Sequence, residues 1–167
     1  ITHLSEVIKA HCSEILSRQD VRTMVENVKK TDSTIVEDLV PNVISYGYLQ
    51  KVLCMLLREG VPIRDMETIL ECLGDHANNL KDIEVIVEYV RQSLKRTITR
   101  RFADGGSLRV ITLDPKVEDI ILQGVKKNGS GGSVLSIDPE IVNAIVAATN
   151  SEIDKVKDVL PSIVILM

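Results

Sequence analysis

The chain has 167 residues, 44% of them apolar, enough for one medium domain or two small ones with a real core. Only 2% are aromatic, so that core is aliphatic, and few rings are present on which single-stranded bases could stack. The net charge of −4 and the pI near 5.4 spread no basic field over the chain, which argues against nonspecific phosphate binding.

Leu4, Val7, Ile8, His11, Ile15 and Leu16 recur at helical spacing, with Thr2 placed as a cap. Val21, Met24, Val25 and Val28 make a second stripe. Ser17 opens it with Asp20 three residues on, the pattern of a capping box. A short helical turn is expected over residues 34–39, stopped by Pro41. Ser45 caps a strong helix through Leu49, Val52, Leu53, Leu56 and Leu57, and Met66, Ile69, Leu70 and Leu73 form the next. Asp82 opens what reads as the longest helix, with Ile83, Ile86, Val87, Val90, Leu94 and Ile98 on one face. Each stripe is one-sided, so each helix has to bury that face against the others. Residues 1–102 therefore read as an all-helical subdomain.

The period changes after Ala103. Asp104-Gly105-Gly106 is a break, and residues 107–113, SLRVITL, are rich in β-branched and aliphatic side chains and read as a strand. Asp114-Pro115 is a helix start, because proline at the first helical position lacks only an N–H that would be unpaired there. Val117, Ile120, Ile121 and Val125 continue that helix, and KKNGSGGS reads as a loop. VLSI, Asp138-Pro139 and then Ile141, Ile145, Val146 and Ile153 repeat strand, Asp-Pro, helix; PSIVILM closes as a third strand. That order predicts a small α/β subdomain over residues 103–167 with a parallel or mixed sheet, and an α+β chain overall.

Cys12, Cys54 and Cys72 are an odd, widely spaced set inside helical patterns, which fits reduced, buried thiols in a reducing compartment. No run of eighteen apolar residues is present to span a membrane. The start, ITHLSEVIKAH, lacks the apolar run of a signal peptide. The chain begins at Ile1 without Met and is expected to be a piece of a longer protein.

Candidate chemistry is sparse. Gly124 and Gly129 have P-loop spacing, but Ser130 stands where the phosphate-binding Lys belongs. His3 and His11 are too far apart along a helix to share an ion unaided. Cys12 points about 100° away from His11, and His76 suits a helix C-terminus. No G-x-S-x-G is present. No catalytic, cofactor-binding or metal-ligating set is therefore expected, and the reading is non-enzymatic. Arg91, Lys95, Arg96, Arg100 and Arg101 cluster at a helix C-terminus, where the dipole favours cations; a contact surface for an acidic partner is the functional alternative.

The stretch REGVPIRDMETILE, residues 58–71, is the densest in reactive-looking residues. Gly60 fits the left-handed position that ends one helix, Pro62 stiffens the connector, and Asp65 can cap the next helix. Arg64 can pair with a carboxylate or fasten the corner to a neighbour. The stretch reads as a helix–turn–helix corner.

Residues 48–98, YLQKVLCMLLREGVPIRDMETILECLGDHANNLKDIEVIVEYVRQSLKRTI, resemble the large export-gate proteins of type III secretion, the FlhA/InvA family. THLSEVIKAH near the start and LVPNVIS at 39–45 belong to the same resemblance, and LDP at 113–115 and the last strand fit more loosely. VPIRD points to the flagellar branch; the virulence branch is the alternative. The resemblance implies a C-terminal cytoplasmic fragment of an inner-membrane protein, comprising a helical third subdomain and an α/β fourth that stops short of its final helix and strand. It implies a nonameric ring of copies that receives export substrates and chaperones, with the main chaperone cleft upstream of this chain. It implies no cofactor. An apolar strand left at the edge of an incomplete sheet, at 107–113 or 162–167, would recruit other chains. A rival from another class is a nucleic-acid-binding helix–turn–helix regulator. For that reading Asp65, Glu67 and Glu71 stand where phosphates would be repelled.

Overall fold

The computed structural model describes residues 3, 7, 8, 11–76, 82–103, 105–127, 133–158 and 163–166. The chain packs as two units, Ile1–Ile98 and Thr99–Met167, so the division falls within the last helix before the expected boundary at 102.

The first unit holds α1 (Cys12–Ile15), α2 (Arg18–Thr31), α3 (Ser33–Leu39), α4 (Tyr46–Arg58), α5 (Met66–His76) and α6 (Ile83–Ser93). α7 (Lys95–Phe102) begins in it. The starts follow from local chemistry. Ser17 Oγ accepts from the Asp20 N–H at 3.2 Å while the Asp20 carboxylate accepts from the Ser17 N–H at 2.9 Å, a complete capping box. The Ser17 hydroxyl, which donates to Asp20 Oδ2 at 2.6 Å, and then the Ser17 N–H hold the Asp20 carboxyl below the usual carboxylate range. Asp32, Ser45 and Asp82 cap α3, α4 and α6 through their side-chain oxygens. α3 ends at Leu39, just before a cis Val40–Pro41 bond.

The core is aliphatic and runs through every helix from α2 to α6. Leu49, Val52, Leu53 and Leu56 make one fully buried stripe on α4, which packs against α1, α2 and α6. α5 packs against α6, α3 and α2. No polar or charged residue is buried as a whole among the described residues, although the hydroxyl of the half-buried Tyr48 is itself enclosed without a hydrogen-bond partner.

Two helical expectations are corrected. The Val7–Ile8–Ile15 stripe is exposed, Ile15 to 59%, and only Leu16 of that series enters the core. Polar contacts turn α1 the other way. The Cys54 thiol donates to the Ser13 carbonyl at 3.2 Å, and Gln50 Nε2 donates to the Leu16 carbonyl at 2.8 Å. Thr2 and Leu4 lie outside the described residues. The helix opened by Asp82 is also not continuous. It stops at Leu94, and α7 restarts at Lys95. Leu94 is 1% exposed, and the Ser93 hydroxyl donates back to the Tyr89 carbonyl at 3.1 Å, a bond that bends helices at such a turn.

The second unit holds β1 (Val110–Thr112), α8 (Pro115–Gly124), β2 (Val125–Lys127), β3 (Ser133–Leu135), α9 (Pro139–Val156) and β4 (Val164–Leu166). Both Asp-Pro starts form. Asp114 and Asp138 each accept a backbone N–H at 2.9 Å, with the proline in the first turn. The expected single sheet does not. β1 and β4 pair in parallel, Val110 opposite Val164, while β3 forms an antiparallel hairpin with β2. The first part of KKNGSGGS is thus strand, and residues 128–132 lie outside the described residues. Gly124 explains the hairpin. A Cβ there would stand 2.3 Å from Ile137 Cγ1, and the Ser136 N–H donates to the Gly124 carbonyl at 2.7 Å. Only glycine lets the returning strand close on the helix end. Two small sheets cover little: Ile120, Ile141 and Val146, expected on buried faces, are exposed.

Stability should therefore reside in the first unit. Leu53→Ala is expected to cost about 2–5 kcal/mol in denaturant unfolding. Leu122→Ala, at a side chain 69% exposed, should stay within about 0.5 kcal/mol. Equal losses would contradict this placement of the core.

Candidate functional site

The corner after α4 is built as a paired closure. Gly60 sits at φ 71°. Its N–H donates to the Leu57 carbonyl at 2.9 Å, and the Val61 N–H donates to the Leu56 carbonyl at 2.8 Å. These are the two bonds that satisfy the end of a helix when a left-handed residue follows it. Val61 then turns into the core. Pro62 and Ile63 are half-buried, and Ile63 packs on the core. Asp65 opens α5: its side-chain oxygen accepts from the Thr68 N–H at 3.4 Å and its carbonyl from the Ile69 N–H at 3.2 Å.

Arg64 is exposed and makes no ion pair among the described residues. It stands at the mouth of an open cleft of about 480 Å³ between the corner and α2. Met24 and Val28 give that cleft an apolar floor with Ile63 and Met66; Asn27, Arg64 and Glu67 rim it. The Thr31 hydroxyl donates to Glu67 Oε1 at 2.9 Å and ties the two walls together. The α2 wall was not foreseen from sequence. Its only signal is that Met24, Val28 and Thr31 share one helical face.

The expected basic surface is divided. Arg91 Nη1 donates to Glu59 Oε2 at 2.8 Å and Nη2 pairs with Glu88, so this arginine clamps α6 to the end of α4. The pairs are half-exposed, worth about 0–1 kcal/mol. Lys95, Arg96 and Arg100 are exposed, without ion pairs among the described residues. The Arg101 guanidinium lies 5.7 Å from the centre of the Phe102 ring. Arg91, Lys95 and Arg96 belong to the first unit, Arg100 and Arg101 to the second.

No reaction centre assembles among the described residues. Burial pushes the Cys54 and Cys72 thiols up, away from the reactive thiolate. No group of three or more His, Cys, Asp or Glu comes together there to hold a metal. The outward face of α5 presents Glu67, Glu71 and Asp75, which would repel a phosphate backbone.

Gly60→Val is expected to lower stability by about 1–3 kcal/mol, because a β-branched residue is strained at positive φ. Gly60→Asn, which tolerates that region better, should lose less. Thermal melts followed by circular dichroism measure both; an unchanged midpoint for the valine variant would contradict the left-handed corner.

The chain matches the FHIPEP family over residues 1–167. It is 37% identical over 155 residues to the flagellar biosynthesis protein FlhA of Bacillus subtilis (strain 168), covering 92% of this chain and 23% of that relative. It therefore spans less than a quarter of the length of this relative. Among solved structures, the Chlamydia pneumoniae CdsV and CdsO complex superposes with a TM-score of 0.78 at 34% identity, over 90% of this chain and 44% of that one. Nonameric EPEC SctV-C superposes with a TM-score of 0.77 at 26% identity, over 89% and 45%. No helix among the described residues is long and apolar enough to cross a membrane. On the full-length match the chain belongs to the FHIPEP family.

Proposed function

We propose that this chain is a docking and ring-forming part of the cytoplasmic domain of a flagellar type III protein-export gate. The observation that carries the reading is the similarity to FlhA along 92% of the chain. The full-length protein is an inner-membrane protein on this reading, with the present residues on its cytoplasmic side. The physical character of the first unit supports it. A dry aliphatic core holds open clefts in fixed shape, and the described residues gather no nucleophile, base and orienting group together. The work is then non-enzymatic and needs no cofactor.

Partners follow from the same similarity: other copies of the chain in a ring, further components of the export apparatus, and chaperones and export substrates, with the main chaperone contact outside these residues. The nonameric relative SctV-C supports the ring and the CdsV–CdsO complex supports contacts with other components. A closed ring of one kind of chain uses two different faces of each copy. The corner cleft, with its apolar floor and the unpaired Arg64 at its mouth, suits one of them. Lys95 and Arg96 are available to an acidic partner because, unlike Arg91, they are not engaged in a clamp. The acidic outer face of α5 favours protein partners over nucleic acid.

The complete cytoplasmic domain containing this chain is expected to form rings visible by negative-stain microscopy and light scattering at high concentration. Arg64→Glu should shift it to monomers without lowering its melting temperature. Rings that persist unchanged in this variant would remove the corner from the interface.

A further inference from the structure

A second pocket lies at the other end of α4. Arg18 opens α2 and Arg22 follows one turn later, so both guanidinium groups leave the same helix face. With Gln19, Ser45, Tyr46 and Gly47 they enclose an open space of about 390 Å³. The Arg22 guanidinium carbon lies 5.1 Å from the centre of the Tyr46 ring. The Arg18 guanidinium lies against Gly47, where a Cβ would stand 3.4 Å from its Nη2. A Cβ there would just touch the guanidinium, so residue 47 packs closely beneath it. The two cations are thus held by a ring and a backbone, and not by acids.

Neither arginine has an ion pair among the described residues. The nearest acid in sequence, Asp20, is committed elsewhere: its Oδ2 accepts from the Ser17 N–H at 2.9 Å and from the Ser17 hydroxyl at 2.6 Å. Two like charges one turn apart repel mildly, and an incoming anion relieves that repulsion. Guanidinium groups are planar forks that match carboxylates in two-pronged fashion. The Tyr46 ring adds an apolar wall beside them.

We propose that the Arg18–Arg22 pocket docks an acidic segment of a protein partner, its carboxylates meeting the two guanidinium groups and a neighbouring apolar side chain lying on Tyr46. A nucleic acid fits less well. Backbone tracking needs a basic stripe, whereas here the pocket offers two cations only, with the acid Asp20 between them in sequence. The site uses no corner residue and stands whether or not the chain closes into a ring.

The test is fluorescence anisotropy with a labelled synthetic peptide carrying Asp–Glu pairs beside leucines, against its Asn–Gln counterpart. The acidic peptide is expected to bind the 167-residue chain saturably and the amide counterpart not to bind. The double variant Arg18→Gln, Arg22→Gln should weaken binding about tenfold or more. Arg58→Gln, which removes one positive charge at the far end of α4, should leave binding unchanged. If the double variant melts early, the milder pair Arg18→Lys and Arg22→Lys keeps the charge and loses the fork, and should still weaken binding. Equal binding of both peptides, an equal loss in Arg58→Gln, or binding of inorganic phosphate at this site with no binding of the peptide would overturn the proposal.

Discussion

The burial of one helical stripe, Leu49, Val52, Leu53 and Leu56 on α4, is the constraint on which the rest of the helical unit depends. α4 meets α1, α2 and α6, so removing its stripe would leave three helices without their shared surface. Because the stripe is aliphatic, its energy comes from area and close packing and not from direction. Direction is supplied at the helix ends. Ser45 fixes where α4 begins, and the Gly60 closure fixes where it stops and sends Val61 back inside. Each end sits next to a cleft.

That arrangement connects core to surface. Both clefts share α2 as one wall: Arg18 and Arg22 line the pocket at the start of α4, while Met24, Val28 and Thr31 line the cleft beside the corner that follows it. The adjoining stripe of α2, Val21, Val25 and Val28, belongs to the core, and Val28 serves both the core and the corner cleft. Exposed side chains at the cleft rims, Arg18, Arg22, Asn27 and Arg64, can change without touching the α4 stripe, whereas a core change on α2 would move both clefts together. A protein that works by presenting fixed surfaces needs this separation. Most of its polar groups can stay exposed and adaptable because the core itself is aliphatic.

Much of this was legible in the sequence wherever the determinant is local. The Ser17–Asp20 box, the caps at Ser45, Asp82, Asp114 and Asp138, and the left-handed Gly60 each depend on a few adjacent residues, and all form. What was not legible depends on distant contacts. Val7, Ile8 and Ile15 have the right period, but thiol and amide bonds to α4 decide which side of α1 faces inward. The period of Ile83 to Ile98 continues through Leu94, where the backbone does not. The strand at residues 133–135 has strand composition, but its partner was set by the close approach at Gly124. The same holds for the site. Pro62, Arg64 and Asp65 were visible as a corner, but the α2 wall that turns the corner into a cleft lies more than thirty residues away in sequence.

The most direct measurement of the central claim is native-state amide hydrogen exchange on this chain. Amides of α4 should exchange only through global unfolding of the helical unit, and should be among the slowest in the chain. Amides of β2, β3 and α8, in a unit with no buried hydrophobic side chain among its described residues, should exchange through smaller openings. Exchange of α4 as fast as that of the β2–β3 hairpin would show that the buried stripe does not hold the unit together, and would contradict the account.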